Sequence, residues 1–582
     1  MAYAVMVAMV VSMRFLGIWL VAMLAVPLLA LCFGERRWYV LLALAVVPPA
    51  LVIHLFEGVM GVYFPRGDAA VMDLAVLQQG LAMLASPWTF LALSAGLAGG
   101  ILIGALPGLT ATMAVAVLAP FTFFMEATIG IPFLLGIYKG AIYGGSIPAI
   151  LVNTPGTAAA AATARDGYAL TQQGKSRKAL ELSLYSSVVA DLMATLVLIM
   201  VAIPLASIAI RFGSPEFALL YLIALTMIAT VSGESFLKGL IAAGLGLLVA
   251  SIGLDPMSGY QRFTLGNTDL LGGVSLIPLL IGMFALSEIL MQLTYPLEPS
   301  SEDHGVVEHG GERLKWSEFW ALRPTILRST SLGTFLGSLP GLGAEISCWI
   351  AYGVARERSR EPEKFGKGSL EGLAAAESGN NAVVPAALIP MTVFGIPGDT
   401  ITAVLIGALM AQGMMPGPLL IQQNPGFLFG LFLVLLVTSV LLLIFGLAAI
   451  RWLKHVTRIP ATVLYPCVLL LCVCGAYAVN SSTFDLLILM VGGGLGYVMR
   501  RTHFPVAPLI IGLLLGPGFE SAVRQSLVFS NGSLAIFWSR PGSLILLILL
   551  ALVILTMAWR GMVKAGFVRK RSNSHPSKSN KT

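Results

Sequence analysis

The sequence predicts an all-α polytopic membrane protein. About a dozen transmembrane helices fall into two structural repeats, read as inverted, each with broken or re-entrant helices. Three observations predict it: an apolar composition, span-length apolar runs from end to end, and two similar Gly/Pro-interrupted regions. Of 582 residues, 57% are hydrophobic and 11% charged, where soluble chains carry about 25% charged residues. Mean hydropathy is +0.89.

In chain order, 1–33 and 38–64 read as two spans joined by Gly34-Glu-Arg-Arg37. The first is too long for a signal-peptide core and has no small-residue cleavage site. A third span lies near 87–106. From 104 to 176 the texture changes, with glycine and proline interrupting each apolar segment. Uninterrupted spans resume at 179–210, 217–232, 236–253 and 272–294. A polar stretch follows, with Glu298, Glu302, Asp303, Glu308 and Glu312. After an apolar 320–338, the broken texture returns at 337–416, and spans follow at 426–450, 460–479, 482–499, 505–516 and 541–559. The expected units are a two-helix piece (1–70), a first repeat (71–295), a polar linker (296–318), a second repeat (319–560) and a basic, disordered tail (561–582). The positive-inside rule places that tail in the cytoplasm, together with Arg500-Arg501 and Arg451/Lys454/Arg458.

The net charge of +7 sits mostly in short loops and the tail. No aromatic-interleaved basic patch points to nucleic acid. The five cysteines lie in apolar segments without a CxxC and read as small buried hydrophobes. The six histidines are scattered, with no HExxH. No Cys/His metal site and no cofactor are expected beyond a coupling ion, Na⁺ or H⁺, with Na⁺ placed near Glu377, Asn380 and Asn381.

The two broken regions resemble each other. Gly104-Ala-Leu-Pro-Gly-Leu109 is echoed by Gly337-Ser-Leu-Pro-Gly-Leu342, an offset of 233 positions. Ile147-Pro148 and Pro155-Gly156-Thr157 are echoed by Ile389-Pro390 and Pro397-Gly398-Asp399, both offset by 242. Pro215 matches Pro460, and Gly244-Leu-Gly246 matches Gly492-Gly-Gly494. Ordered matches with slowly growing offsets read as a duplication. Paired Gly/Pro-interrupted segments in a transporter point to a substrate site at the repeat interface, near the bilayer midplane. Broken backbone leaves N–H and C=O groups that cost several kcal/mol each in hydrocarbon, and it survives only where it lines a cavity or is buried in protein. Half-helix amino ends then present positive dipoles, which suit an anion and especially a carboxylate.

The candidate site residues follow from these motifs. In the first half they are Pro107, Gly108, Thr110, Thr112, Asn153, Thr154, Pro155, Gly156 and Thr157. In the second they are Pro340, Gly341, Glu345, Ser347, Asn380, Asn381, Pro397, Gly398, Asp399 and Thr400. Glu345 and Asp399 either bind a coupling cation or cap the helices they open. Glu377-Ser-Gly-Asn-Asn381 is read as a non-helical run of oxygen ligands that suits Na⁺, with a plain polar loop as the alternative. Asp191 is expected to pair inside the bundle. Lys139 is assigned to snorkelling at an interface rather than to a substrate carboxylate. Arg165-Asp166-Gly167 and Lys175/Arg177/Lys178 read as loop charges.

These motifs, with Tyr138-Lys-Gly-Ala-Ile-Tyr-Gly-Gly-Ser146, Ile150-Leu-Val-Asn-Thr-Pro-Gly-Thr157, Asp166-Gly-Tyr168, Leu339-Pro-Gly-Leu-Gly-Ala-Glu-Ile346, Phe365-Gly-Lys-Gly368, Glu371-Gly372, Gly395-Ile-Pro-Gly398, Gly475-Ala-Tyr477, Phe484-Asp485 and Gly512-Leu-Leu-Leu-Gly-Pro517, resemble the large permease subunit of the tripartite tricarboxylate transporters. The resemblance runs from about Met72 to Leu550. It implies uptake of a small di- or tricarboxylate with Na⁺ or H⁺ across the bacterial inner membrane. A periplasmic binding protein would hand over the substrate, and a small membrane subunit would assist. Leu31-Cys-Phe-Gly-Glu-Arg-Arg37 and Gly61-Val-Tyr-Phe-Pro-Arg-Gly67 look like the end of that small subunit. This reads as a partial fusion, with a mis-set start codon as the alternative. Three further functions compete: transport of another organic anion, a passive channel, and an intramembrane hydrolase. The last has Ser146 and Ser347 as nucleophiles, but His54, His455 and His503 sit at span ends without partners.

Overall fold

The computed structural model describes residues 74–106, 108–231, 235–294, 312–452 and 461–572. The amino-terminal piece (1–70), most of the polar linker and Pro107 lie outside the described residues. The regular elements among them are helical apart from one two-stranded ribbon.

Helix α1 (Leu74–Ala85) leads into α2 (Pro87–Gly104), which places Pro87 at the helix start, where its missing N–H is not needed. Helix α3 (Ala111–Leu118) is capped by Thr110, whose Oγ1 accepts from Met113 N at 3.1 Å. Helix α4 (Ala127–Gly144) runs through Gly145 into the short α5 (Ser146–Val152). Asn153 ends α5 in the left-handed region at φ 55°, a conformation asparagine tolerates better than most residues. Then come α6 (Ala161–Gln172), the 34-residue α7 (Ser176–Ala209), α8 (Ser214–Val231) and α9 (Phe236–Ala250).

Strands β1 (Gly253–Leu254) and β2 (Gln261–Arg262) pair antiparallel. Helices α10 (Leu276–Ile281) and α11 (Ser287–Thr294) are joined by a π-turn at Gly282–Leu286. After the linker come α12 (Trp316–Ala321), α13 (Arg323–Gly337), α14 (Gly343–Arg358), α15 (Leu370–Asn381) and the short α16 (Val383–Ala386) and α17 (Leu388–Phe394). Helices α18 (Thr400–Ala411), α19 (Pro418–Gln423), α20 (Pro425–Trp452), α21 (Ala461–Asn480), α22 (Thr483–Arg501), α23 (Val506–Phe529), α24 (Ile536–Ser539) and α25 (Pro541–Ser572) complete the chain.

Seven stretches among the described residues are long and apolar enough to cross a membrane: α2, α4 with α5, α7, α10 with α11, α20, α22 and α23. Shorter apolar helices flank them. Leu470, Met490, Ile545 and Leu555 are exposed on these helices, as a lipid-facing surface requires.

A long close-packed seam joins α2 to α4. Gly96, Gly100 and Gly104 repeat every fourth residue on one helix, and Gly136, Gly140 and Gly144 do so on the other. A Cβ on Gly96, Gly100 or Gly104 would sit 2.2–2.5 Å from a carbonyl oxygen of α4. A Cβ on Gly136, Gly140 or Gly144 would sit 2.4–2.6 Å from one of α2. Small residues at every fourth position let two backbones touch, which suits a bilayer, where apolar side chains gain little from burial against each other. Helix α13 meets α15 and α16 in the same manner, through Gly333 and Gly337.

Several sequence expectations are corrected here. The polar linker ends before α12, whose capping box at Lys315 and Glu318 starts a helix at Trp316. The span expected at 505–516 continues to Phe529, past Pro517. Helix α25 carries on into the basic tail as far as Ser572. Cys348 and Cys472 are buried, but Cys467 and Cys474 are exposed on α21.

Candidate functional site

Two residues of helix α4 make buried polar contacts. Tyr138 donates its hydroxyl to Asp399 Oδ2. Lys139 donates to Asp191 Oδ2 at 2.7 Å, Leu435 O at 2.8 Å and Ser439 Oγ at 3.1 Å. All three ammonium protons are therefore used, and the pair is 1% and 2% exposed. Asp191 pairs inside the bundle as expected. Lys139 does not snorkel: it ties α4 to α7 and α20 in the core.

A further buried polar cluster lies near Tyr143, about one turn along α4 from Lys139. Glu377 is fully buried on α15, its Oε1 accepting from Thr163 Oγ1 at 2.5 Å and its Oε2 from Ser187 Oγ at 2.9 Å. Asn381 Nδ2 donates to Ser187 Oγ at 2.8 Å. Tyr143 lies within electrostatic reach of the same carboxylate. The run Glu377–Asn381 is helical, not a loop. Its apolar predecessors Leu373–Ala376 are all buried, so the helix is held by packing on every side.

Around Asp399, the amino ends of three helices converge. Asp399 caps α18, Oδ1 accepting from Thr402 N at 2.7 Å, while its own N–H donates to Thr402 Oγ1 at 2.8 Å. Thr112, in the first turn of α3, shares a 2.9 Å hydrogen bond with Thr400, in the first turn of α18. Gly341 N, just before α14, donates to Gly398 O at 2.7 Å. Gly341 holds φ 88°, a region that suits glycine. Helix α14 has no side-chain cap, and Pro340 and Gly341 are half-buried. Glu345 is exposed in its first turn, within electrostatic reach of Asp399 and Arg500.

The remaining predicted residues distribute as follows. Gly108 is half-buried beside Tyr465 and Gln292. Gly156 is buried, donating to Gly145 O at 3.0 Å and lying against Gly104 O. Pro397 and Gly398 are buried, and Pro155 is half-buried. Thr157 and Asn380 are buried with side-chain polar atoms that have no hydrogen-bond partner. Ser347 is spent on Gly379 O at 2.8 Å. Asn153 is exposed and Thr154 half-buried. The structure thus brings Thr112, Gly341, Gly398, Asp399 and Thr400 together. It places Asn381 in a separate cluster at Glu377.

Sequence reasoning missed Tyr138, Thr163 and Ser187, whose partners lie far away in the chain. It also took Asp166 for a loop charge. Asp166 is fully buried on α6. Its Oδ1 accepts from the backbone N–H groups of Gly366, Gly368 and Ser369 at 2.8–2.9 Å, and its Oδ2 accepts from Tyr352 Oη at 2.8 Å. It therefore pins the loop before α15 to the first half of the chain. Lys178 is likewise buried and pairs with Glu318 at 2.6 Å. A hydrolase would need a histidine beside Ser146 or Ser347. His503 sits in the turn after α22 at φ 57°, while His54 and His455 lie outside the described residues.

Span-length apolar helices around buried charges and converging helix ends define a multi-pass membrane transport protein. A family model described as the tripartite tricarboxylate transporter TctA family matches residues 90–511, and the chain belongs to that family. The family is one of transporters rather than enzymes, and membership makes this chain a tricarboxylate transporter permease. It is 35% identical, over 78% of its length and 89% of the relative's, to an uncharacterised 52.8 kDa protein in the TAR-I ttuC' 3' region of Agrobacterium vitis. It is also 36% identical, over 36% of its length and 86% of the relative's, to an uncharacterised protein in the TAR-II ttuC' 3' region of the same organism. No solved structure matches.

Proposed function

We propose that the chain is the large permease subunit of a secondary transporter importing a small, citrate-like di- or tricarboxylate with Na⁺ or H⁺. A periplasmic binding protein delivers the substrate, and a small membrane subunit assists. The observation that carries this reading is the meeting of the amino ends of α3, α14 and α18 through the Thr112–Thr400 and Gly341–Gly398 contacts. Each helix end carries roughly half a positive charge. Asp399 occupies the end of α18 and the neutral Thr110 caps α3, which leaves the uncapped end of α14, aided by the dipole of α3, for substrate carboxylates.

The repeat reading gains support from matched close contacts. Gly156 lies against Gly145, and Gly398 against Ala387, positions related by the same offset of 242. The two-repeat organisation and the midplane site belong to this proposal. So does a small-subunit origin for residues 1–70.

Uptake of labelled citrate into proteoliposomes containing the permease tests the reading. Uptake that requires both an ion gradient and a cognate binding protein is the expected result. A gradient-independent flux would make the chain a passive channel, and no carboxylate uptake under any gradient would remove the assignment.

A further inference from the structure

We propose that Glu377 is the seat of the coupling ion, a single Na⁺ held by its carboxylate with the side-chain oxygens of Thr163, Ser187, Ser146 and Ser183. This rests on reading the chain as a gradient-driven permease. The argument starts from an unbalanced charge. Glu377 is fully buried in the interior, and no basic side chain forms an ion pair with it among the described residues. A lone ionised carboxylate away from water is costly, and such groups are found paired, neutralised or coordinating a cation. The other buried acids nearby solve this differently. Asp191 has Lys139. Asp166 has three backbone N–H groups and a tyrosine hydroxyl. Glu377 has two hydroxyls in hydrogen-bond geometry, two more within reach and a distant amide at 3.5 Å, all of them uncharged.

The second observation is a surplus of oxygen. Ser146 and Ser183 are buried, lie close enough to interact with the Glu377 carboxylate, and yet make no hydrogen bond of acceptable geometry. Asn380, one turn on from Glu377, is fully buried with both amide atoms unpartnered. Native proteins rarely leave buried polar atoms unpaired without a reason. A proton on Glu377 would use one acceptor and leave the other oxygens orphaned. A hard cation takes several oxygen ligands at once, and so satisfies them together. A single carboxylate with neutral oxygens matches one positive charge and not two.

The donors come from α5, α6, α7 and α15, so the ion would join the two halves of the chain. Ser146 follows directly on α4, and Tyr138 of α4 holds Asp399 at the proposed substrate site. Tyr138 and Ser146 are eight residues apart, about 12 Å along a helix. This gives ion occupancy a rigid element through which to affect the anion site.

The test measures ²²Na⁺ binding to the purified full-length permease in detergent, without substrate or gradient. Saturable binding by the wild type is expected, unaffected by equimolar choline. Glu377→Gln, which keeps shape but not charge, should abolish it. Thr163→Val and Ser183→Ala, milder changes that guard against misfolding of the first, should each weaken it at least ~10-fold. Wild-type binding that Glu377→Gln leaves intact overturns the site, as does a wild type that binds no Na⁺ and is stabilised by acid alone. Because no transport is read, a permease inactive toward carboxylates leaves this result standing. Carboxylate uptake with normal ion coupling in Glu377→Gln sinks the site but spares the permease reading.

Discussion

Lys139 and Asp191 show how a charge becomes part of a membrane core. The ammonium has three acceptors, and the carboxylate receives Ser439 Oγ at 2.5 Å as well. Removing one partner leaves the other charge buried and unpaired, a loss of about 3–5 kcal/mol. Lys139→Met alone should therefore lower the thermal midpoint of the detergent-solubilised protein sharply, whereas Lys139→Met with Asp191→Leu should recover most of the loss. A double variant no better than the single one would show that the pair is not the cause. Asp191 was legible because an acid inside a 34-residue apolar helix has to find a partner. Lys139 was misread because local hydropathy does not show which face of a helix meets the core. Asp399 was legible as a cap or a ligand, but its partner Tyr138 lies 261 residues away, and no local pattern links them. Outside the spans, Arg524 and the backbone N–H of Met257 hold the Asp255 carboxyl well below the usual carboxylate range. A depressed pKa stabilises the folded loop above the ordinary value and loses that contribution as pH falls through the depressed one. The amide-exchange rate across residues 253–262, taken relative to the unprotected rate at each pH, should accordingly quicken between about pH 4 and about pH 2 in the wild type. In Arg524→Gln it should quicken at higher pH. Identical profiles would remove the Arg524 contact as the cause.

Helix boundaries follow from hydropathy, so α2, α7, α20 and α22 fall within a few residues of the expected spans. The short helices α5, α16 and α17 were legible only as broken texture. Their ends depend on Asn153 and Gly395, in left-handed conformations at φ 55° and 70°, and on packing that hydropathy does not report. The glycine stripes of α2 and α4 stand plainly in the sequence, but their pairing is visible only in three dimensions. They give a controlled comparison between neighbours. A Cβ on Gly100 would lie 2.5 Å from Ile137 O, while a Cβ on Gly99 meets nothing within 4 Å. Gly100→Ala should therefore destabilise by about 1–3 kcal/mol through overpacking. Gly99→Ala should be neutral or stabilise by roughly 0.5–1 kcal/mol, since it removes only the entropy cost of a helical glycine. Equal shifts in unfolding midpoint for the two would deny the close α2–α4 seam.

At the scale of the molecule, the contacts sort the loops onto two faces. Lys238 Nζ donates to Thr502 O at 2.8 Å, placing the start of α9 beside the end of α22. At the other end, Arg524 of α23 binds Asp255 beyond α9, Ser214 of α8 binds Gln525, and Arg540 binds Glu216. Helix α7 ends near that second face and so begins on the first, where Lys175, Lys178 and Lys364 line one pocket and Gln173 holds Lys367 O at 2.8 Å. Arg500 and Arg501 share the first face with them. On the second face, Asp255, Glu520 and Glu216 pair with the arginines Arg262, Arg524 and Arg540. From the positive-inside rule we propose that the first face is cytoplasmic, the side on which the sequence expectation puts the carboxy-terminal tail. Single cysteines introduced at Lys364 and at Tyr260, which is 77% exposed in the loop beyond α9, test this in a background without the native cysteines. In right-side-out vesicles, a membrane-impermeant maleimide should label Tyr260→Cys and spare Lys364→Cys, and inverted vesicles should reverse the pattern. The opposite labelling would turn the protein over in the membrane, moving the basic pocket beneath α7 to the side from which the proposed binding protein would arrive.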